Sequence, residues 1–147
     1  MPANTIPIYP ASPNTSGVYI QTADTNIKAP LTNGMVLATG GTNGTRVDAI
    51  KIRALGSNVA SVLRIYWNDG QGTAEVNFIL IHEVALAAST AQTAAITGVD
   101  TVLLPINYAN DGNGVLPPAL KSREKIYVSL GTTVASGYSV TFMGGDY

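Results

Sequence analysis

From Gly17 onward, short apolar stretches alternate with polar positions and are cut by Gly, Asn, Asp and Pro. A period of two is the mark of strands with one buried face. Residues 18–22 and 35–38 read as the first two strands, and Asn33-Gly34 and Asn43-Gly44 bracket the second with a strong turn signal. Residues 46–55 alternate most clearly. Asp48, Ile50, Ile52 and Ala54 share one side, and Val47, Ala49, Lys51 and Arg53 the other. Ile50 and Ile52 are therefore expected in the core, with Lys51 and Arg53 outside. Residues 60–68 set Leu63, Ile65 and Trp67 against Val62, Arg64 and Tyr66, which makes the Arg64 side the wetter one.

Residues 74–86 form another long run, with Val76, Phe78, Leu80, His82 and Val84 opposing Glu75, Asn77, Ile79, Ile81 and Glu83. Residues 99–106, 125–130 and 137–143 complete a set of about eight strands, a number that suits a jelly roll. The Ala/Ser/Thr-rich stretch 85–97 reads as a loop, because Thr90, Thr93 and Thr97 are weak helix formers. The expected fold is all-β: a jelly-roll-like antiparallel β-sandwich, one domain over residues 18–147, preceded by an extended N-terminal arm. That arm, residues 1–17, carries Pro2, Pro7, Pro10 and Pro13, which forbid a helix. Ile6, Ile8 and Tyr9 are its candidate interface anchors, since three bulky apolar residues exceed what a solvated tail needs.

Composition narrows the roles open to this fold. Of 147 residues, 12% are charged and 46% are hydrophobic. That charge is roughly half the usual share of a soluble domain. Either the surface is polar without charge, or other subunits cover much of it, since interface cores are depleted in charge. A net charge of −1 argues against a polyanion-binding protein, so no nucleic acid is expected. With no cysteine there is neither a disulfide nor a thiolate metal site. No signal-peptide pattern opens the chain and no apolar run suits a bilayer, so no membrane association is expected.

Candidate chemistry is thin. His82, the only histidine, lies in register with Phe78 and Leu80 and reads as a core-edge residue held by a hydrogen bond. Glu75 and Glu83, eight positions apart on one strand, would stand about 27 Å apart, too far for a glycosidase pair. Cross-strand pairing of Asp48, Glu75 and Glu83 with Lys51, Arg53 or Arg64 is the simpler expectation. Asn68-Asp69-Gly70 and residues 110–113 look faintly like calcium loops but lack the ligand spacing, and turn chemistry accounts for both. Tyr66, Trp67, Tyr108, Tyr127 and Tyr138 are candidates for sugar stacking or protein contact. Because Tyr66 and Trp67 are adjacent, one is expected in the core and the other at an exposed face. No catalytic residue, cofactor or metal site is expected.

Two stretches carry a family resemblance: GTRVDAIKIRALG at 44–56 followed by ASVLRIY at 60–66, and KIYVSLGTTVASGYSVTFMGGDY at 125–147. Both resemble small virion structural proteins of tailed bacteriophages and prophages, of the head-decoration or cement type. The resemblance implies a non-enzymatic β-sandwich subunit, often a homotrimer, made in the host cytoplasm and seated on the capsid exterior against the major capsid protein. It carries over no catalytic residues. A tail or fibre component that binds a host receptor or glycan is the alternative.

Overall fold

The computed structural model describes residues 9–105 and 114–147. Its strands are β1 (Ser12–Ile20), β2 (Met35–Thr39), β3 (Thr45–Ala54), β4 (Ser61–Asn68), β5 (Phe78–Leu86), β6 (Asp100–Leu103), β7 (Ala119–Leu120), β8 (Lys125–Leu130) and β9 (Tyr138–Asp146). A 3-10 turn, Glu75–Asn77, leads into β5. One sheet runs β1-β9-β3-β6, with β7 also on β3, and the other runs β2-β8-β4-β5. Every strand pairing is antiparallel. The outermost strands in sequence pair with each other and the inner ones nest within them: β1 with β9, β2 with β8, β3 with β6, β4 with β5. That nesting is a long hairpin rolled into two sheets, the jelly-roll wrap expected from the strand spacing.

The sheets close on a core that includes Leu37, Val47, Ile50, Ile52, Leu63, Ile65, Ile126, Val128, Val140 and Phe142, all essentially inaccessible. Ile50 and Ile52 lie inside and Lys51 and Arg53 face outward, as the alternation predicts. The alternation fails where a β-bulge adds a residue and reverses the facing of the strand. In β3 the register skips from Val47 to Ala49, so Val47 and not Asp48 joins Ile50 in the core. In β5 it skips Ile81. Phe78 and Leu80 therefore pack on the outside of their sheet, whereas Val84 and Leu86 pack inside.

Two boundaries differ most from expectation. β1 starts at Ser12, within the expected arm, and stays in register with β9 from Ser12 opposite Asp146 to Ile20 opposite Tyr138. Pro13 is tolerated there because β1 is an edge strand and its missing N–H costs no ladder bond on the open side. The long run expected at 74–86 is strand only from Phe78, and residues 75–77 form the 3-10 turn.

Candidate interaction surface

The two lateral sides of the sandwich are built differently. On one, β1 and β2 stand at the edges of their sheets and are tied together: the Ser16 hydroxyl donates to the Leu37 carbonyl at 2.5 Å. The connection between them, residues 21–34, is stitched down at its start. Val134 N–H donates to the Gln21 carbonyl at 3.0 Å, Gln21 Nε2 to the Ala135 carbonyl at 2.6 Å, and Ala23 N–H to Thr133 Oγ1 at 2.9 Å.

This connection crosses the outer face of the β2-β8-β4-β5 sheet and builds a second small core there. Ala29 sits with Tyr66, Phe78 and Tyr127, and the Phe78 and Tyr127 rings meet edge to face with centroids 5.0 Å apart. Tyr66 is fully buried and its hydroxyl donates to the Asn26 carbonyl at 3.4 Å. Burial pushes the Tyr66 and Tyr127 phenols above their ordinary pKa.

Asp24 organises the crossing. Its Oδ2 accepts the N–H groups of Thr32 and Asn33, both at 2.9 Å, and its Oδ1 that of Asn26 at 3.0 Å. Burial alone would raise the pKa of this carboxyl. The backbone donors outweigh burial and hold it below the usual carboxylate value. Arg64 locks the arrangement from beneath, donating to the Asp24 carbonyl at 3.2 Å while its Nε reaches Glu83 at 3.1 Å.

Among the described residues the opposite side has no such returning connection. β5 and β6 are the outer strands there, and the chain between them, 87–99, holds to the domain mainly at Ser89 and Gln92. Ser89 exchanges backbone bonds with Asn58 and donates its hydroxyl to the Gly56 carbonyl at 2.7 Å; Gln92 Nε2 donates to the Ala54 carbonyl. Ile79 on β5, Ile96 and Val99 on the connection, Val102 on β6 and Leu104 beyond it are all exposed, Val99 to 72%. Charge at this side comprises the Arg64–Glu83 pair on the β4/β5 ladder and a knot on the other sheet, where Asp100 receives Lys51 at 2.9 Å and Arg53 at 2.6 Å. The bonds from Arg53 and Lys51 hold the Asp100 carboxyl below its usual pKa.

The acids weighed from sequence each have their own cation. Asp48 is held by Arg46 of its own strand at 2.7 Å, Glu83 by Arg64 across the ladder at 3.1 Å, and Glu75 by Lys28 at 3.5 Å. Cross-strand pairing therefore holds for Glu83 with Arg64, while Lys51 and Arg53 converge on Asp100, an acid the sequence reading did not single out. His82 is half-buried on β5 opposite Ile65. Among the described residues no three His, Cys, Asp or Glu side chains gather as a metal-holding group.

Of the aromatic candidates, Tyr66, Tyr127 and Tyr138 are buried, and Trp67 is half-buried against the main core. The expectation that one of Tyr66 and Trp67 is exposed is corrected: the 21–34 connection covers the face that sequence alone leaves bare. Tyr9 is 75% exposed; Ile6, Ile8, Tyr108 and residues 110–113 lie outside the described residues. Searches against known families and curated proteins find no matching family model and no matching protein.

Proposed function

We propose that this protein is a non-enzymatic virion subunit of the phage head-decoration or cement type, binding the capsid exterior and stabilising contacts between capsomers. The observation that carries the reading is the β5/β6 side, where Ile79, Ile96, Val99, Val102 and Leu104 are exposed along and beside the two edge strands. An exposed apolar edge strand is a template for association. Burying it between copies of this chain would give the homotrimer, and a symmetric oligomer binding many equivalent capsid sites gains affinity through avidity even when each contact is weak. Jelly rolls recur among viral capsid and lectin domains, and this analogy of fold supports the role.

The arm contributes at the capsid through Ile6, Ile8 and Tyr9. Because β1 begins at Ser12, the informative deletion removes residues 2–8 and leaves the strand whole. That variant should keep the melting temperature of the full chain and attach more weakly to particles; undiminished attachment would remove the arm from the proposal. Cryo-electron microscopy of labelled particles tests location, and density on a tail fibre instead of the head would replace this reading with the receptor-binding one. The glycan alternative is less favoured, since Tyr66, Tyr127 and Tyr138 are committed to packing.

A further inference from the structure

The outer face of the β2-β8-β4-β5 sheet carries a second set of exposed apolar residues. Ile27 and Leu31 ride on the connection that crosses this face. Val36 belongs to the same face, since it stands directly opposite Tyr127 of the outer core. Val76, exposed to 86%, joins them from the 3-10 turn, which the Lys28–Glu75 pair ties to the connection. Charge on this face is drawn into pairs, Lys28 with Glu75 and Arg64 with Glu83.

Size sets this group apart from scattered surface hydrophobes. At about 170–200 Å² for a fully exposed Val, Ile or Leu, these four present on the order of 400 Å², and the five exposed residues of the β5/β6 side on the order of 500 Å². A standard interface buries about 800 Å² of each partner, and between like subunits about 65% of it is apolar. The two sets match each other in area, and each is close to the apolar share of one interface.

Symmetry then asks for both. A rotation by a third of a turn never exchanges two subunits, so a trimer does not close through one patch meeting itself; each contact joins one surface of a copy to a different surface of the next. The β5/β6 side therefore needs a partner elsewhere on the chain. One set lies on a sheet face and the other along a lateral edge, roughly a quarter turn apart around the sandwich. Surfaces on opposite sides would run copies on into a filament, whereas surfaces at this angle turn them back into a ring of about three or four.

We propose that the outer sheet face at Ile27, Leu31, Val36 and Val76 docks the β5/β6 edge of a second copy of this chain, so that subunits join head to tail. The inference rests on the homotrimer of the proposed function and names the two surfaces it uses.

The test pairs two full-length variants, one altered on the face (Ile27→Lys with Val76→Lys) and one on the edge (Ile79→Lys with Val102→Lys). All four positions are exposed, so both variants should keep the melting temperature of the wild type. In sedimentation velocity each alone should be a 15.2 kDa monomer, and an equimolar mixture should give a species of twice that mass, the intact edge of the first on the intact face of the second. The mixture is run at about tenfold the concentration at which the wild type trimerises, because an open pair lacks the linked contacts of a closed ring. The chain has no cysteine, so Val76→Cys and Val102→Cys chains, mixed and treated with a short bifunctional maleimide, should cross-link unlike with unlike. A wild type that is itself monomeric overturns the trimer reading and this inference with it. A trimeric wild type whose face variant stays trimeric, whose two variants fail to pair, or whose cross-links join like with like overturns this inference alone.

Discussion

The β1/β2 side and the β5/β6 side of one sandwich are finished by opposite means. At the first, the 21–34 connection returns across the sheet, buries Tyr66 and pins itself through Asp24. At the second, the 87–99 connection leaves aliphatic side chains in solvent and a cavity beneath it. The contrast teaches that edge strands do not by themselves define an interface. An edge is finished differently according to whether its own chain comes back across it, and here the 21–34 connection does so while Tyr19, Ile27, Leu31, Met35 and Val36 stay exposed.

The comparison can be broken most severely at its covered side. Tyr66→Ala removes the side chain on which the 21–34 connection rests and should cost about 3–5 kcal/mol in denaturant unfolding, as large-to-small core changes do. A cost below about 1 kcal/mol, the size of an ordinary surface change, would mean that the second core contributes little. Asp24→Ala strips three backbone N–H groups of their acceptor and should cost about 1–3 kcal/mol.

Asp24 also predicts a pH dependence. Its folded pKa is depressed below 3.8, so its contribution is complete above the ordinary carboxylate range and is lost as pH falls through that range and the folded pKa beneath it. Unfolding curves measured from neutral pH downward should show a shallower acid loss for Asp24→Asn than for the wild type. Parallel curves would show that the carboxylate charge does not hold the connection.

On the open side the expected effects on stability are smaller and the effects on association larger. Ile79→Lys and Val102→Lys replace exposed residues and should change stability by no more than about 0.5 kcal/mol. In sedimentation velocity they should convert trimer to monomer. A wild type that sediments as a 15.2 kDa monomer at micromolar concentration would remove self-association from the proposal. Smallest of all, Asp100→Asn dissolves an exposed ion-pair knot, and any fall in melting temperature should disappear at high salt.

Much of the architecture is legible in the chain because strand alternation and Asn-Gly turns are local signals, and the facing of Ile50, Ile52, Lys51 and Arg53 follows from them. What is not legible arises where geometry overrides period two. The bulge at Asp48 puts Val47 into the core, and the one at Ile81 splits Phe78 and Val84 between two cores although they share parity. Asp24 escapes a sequence reading for another reason. It stands in a stretch without alternation, and its role is set by backbone donors up to nine positions away. The partners of Asp100 are likewise fixed by pairing across the sheet, which no spacing along the chain reveals.

One feature of the strand order reaches into how the molecule is made. β9, last in the chain, is not an edge but lies between β1 and β3, hydrogen-bonded along its length to both. A ribosome delivers β1 and β3 first, and they have no ladder to share until Tyr138–Asp146 has emerged. The sheet therefore cannot be completed before β9 is made. Contacts so distant in sequence make for slow folding, with the unpaired flanks of β1 and β3 exposed to other nascent chains in the meantime.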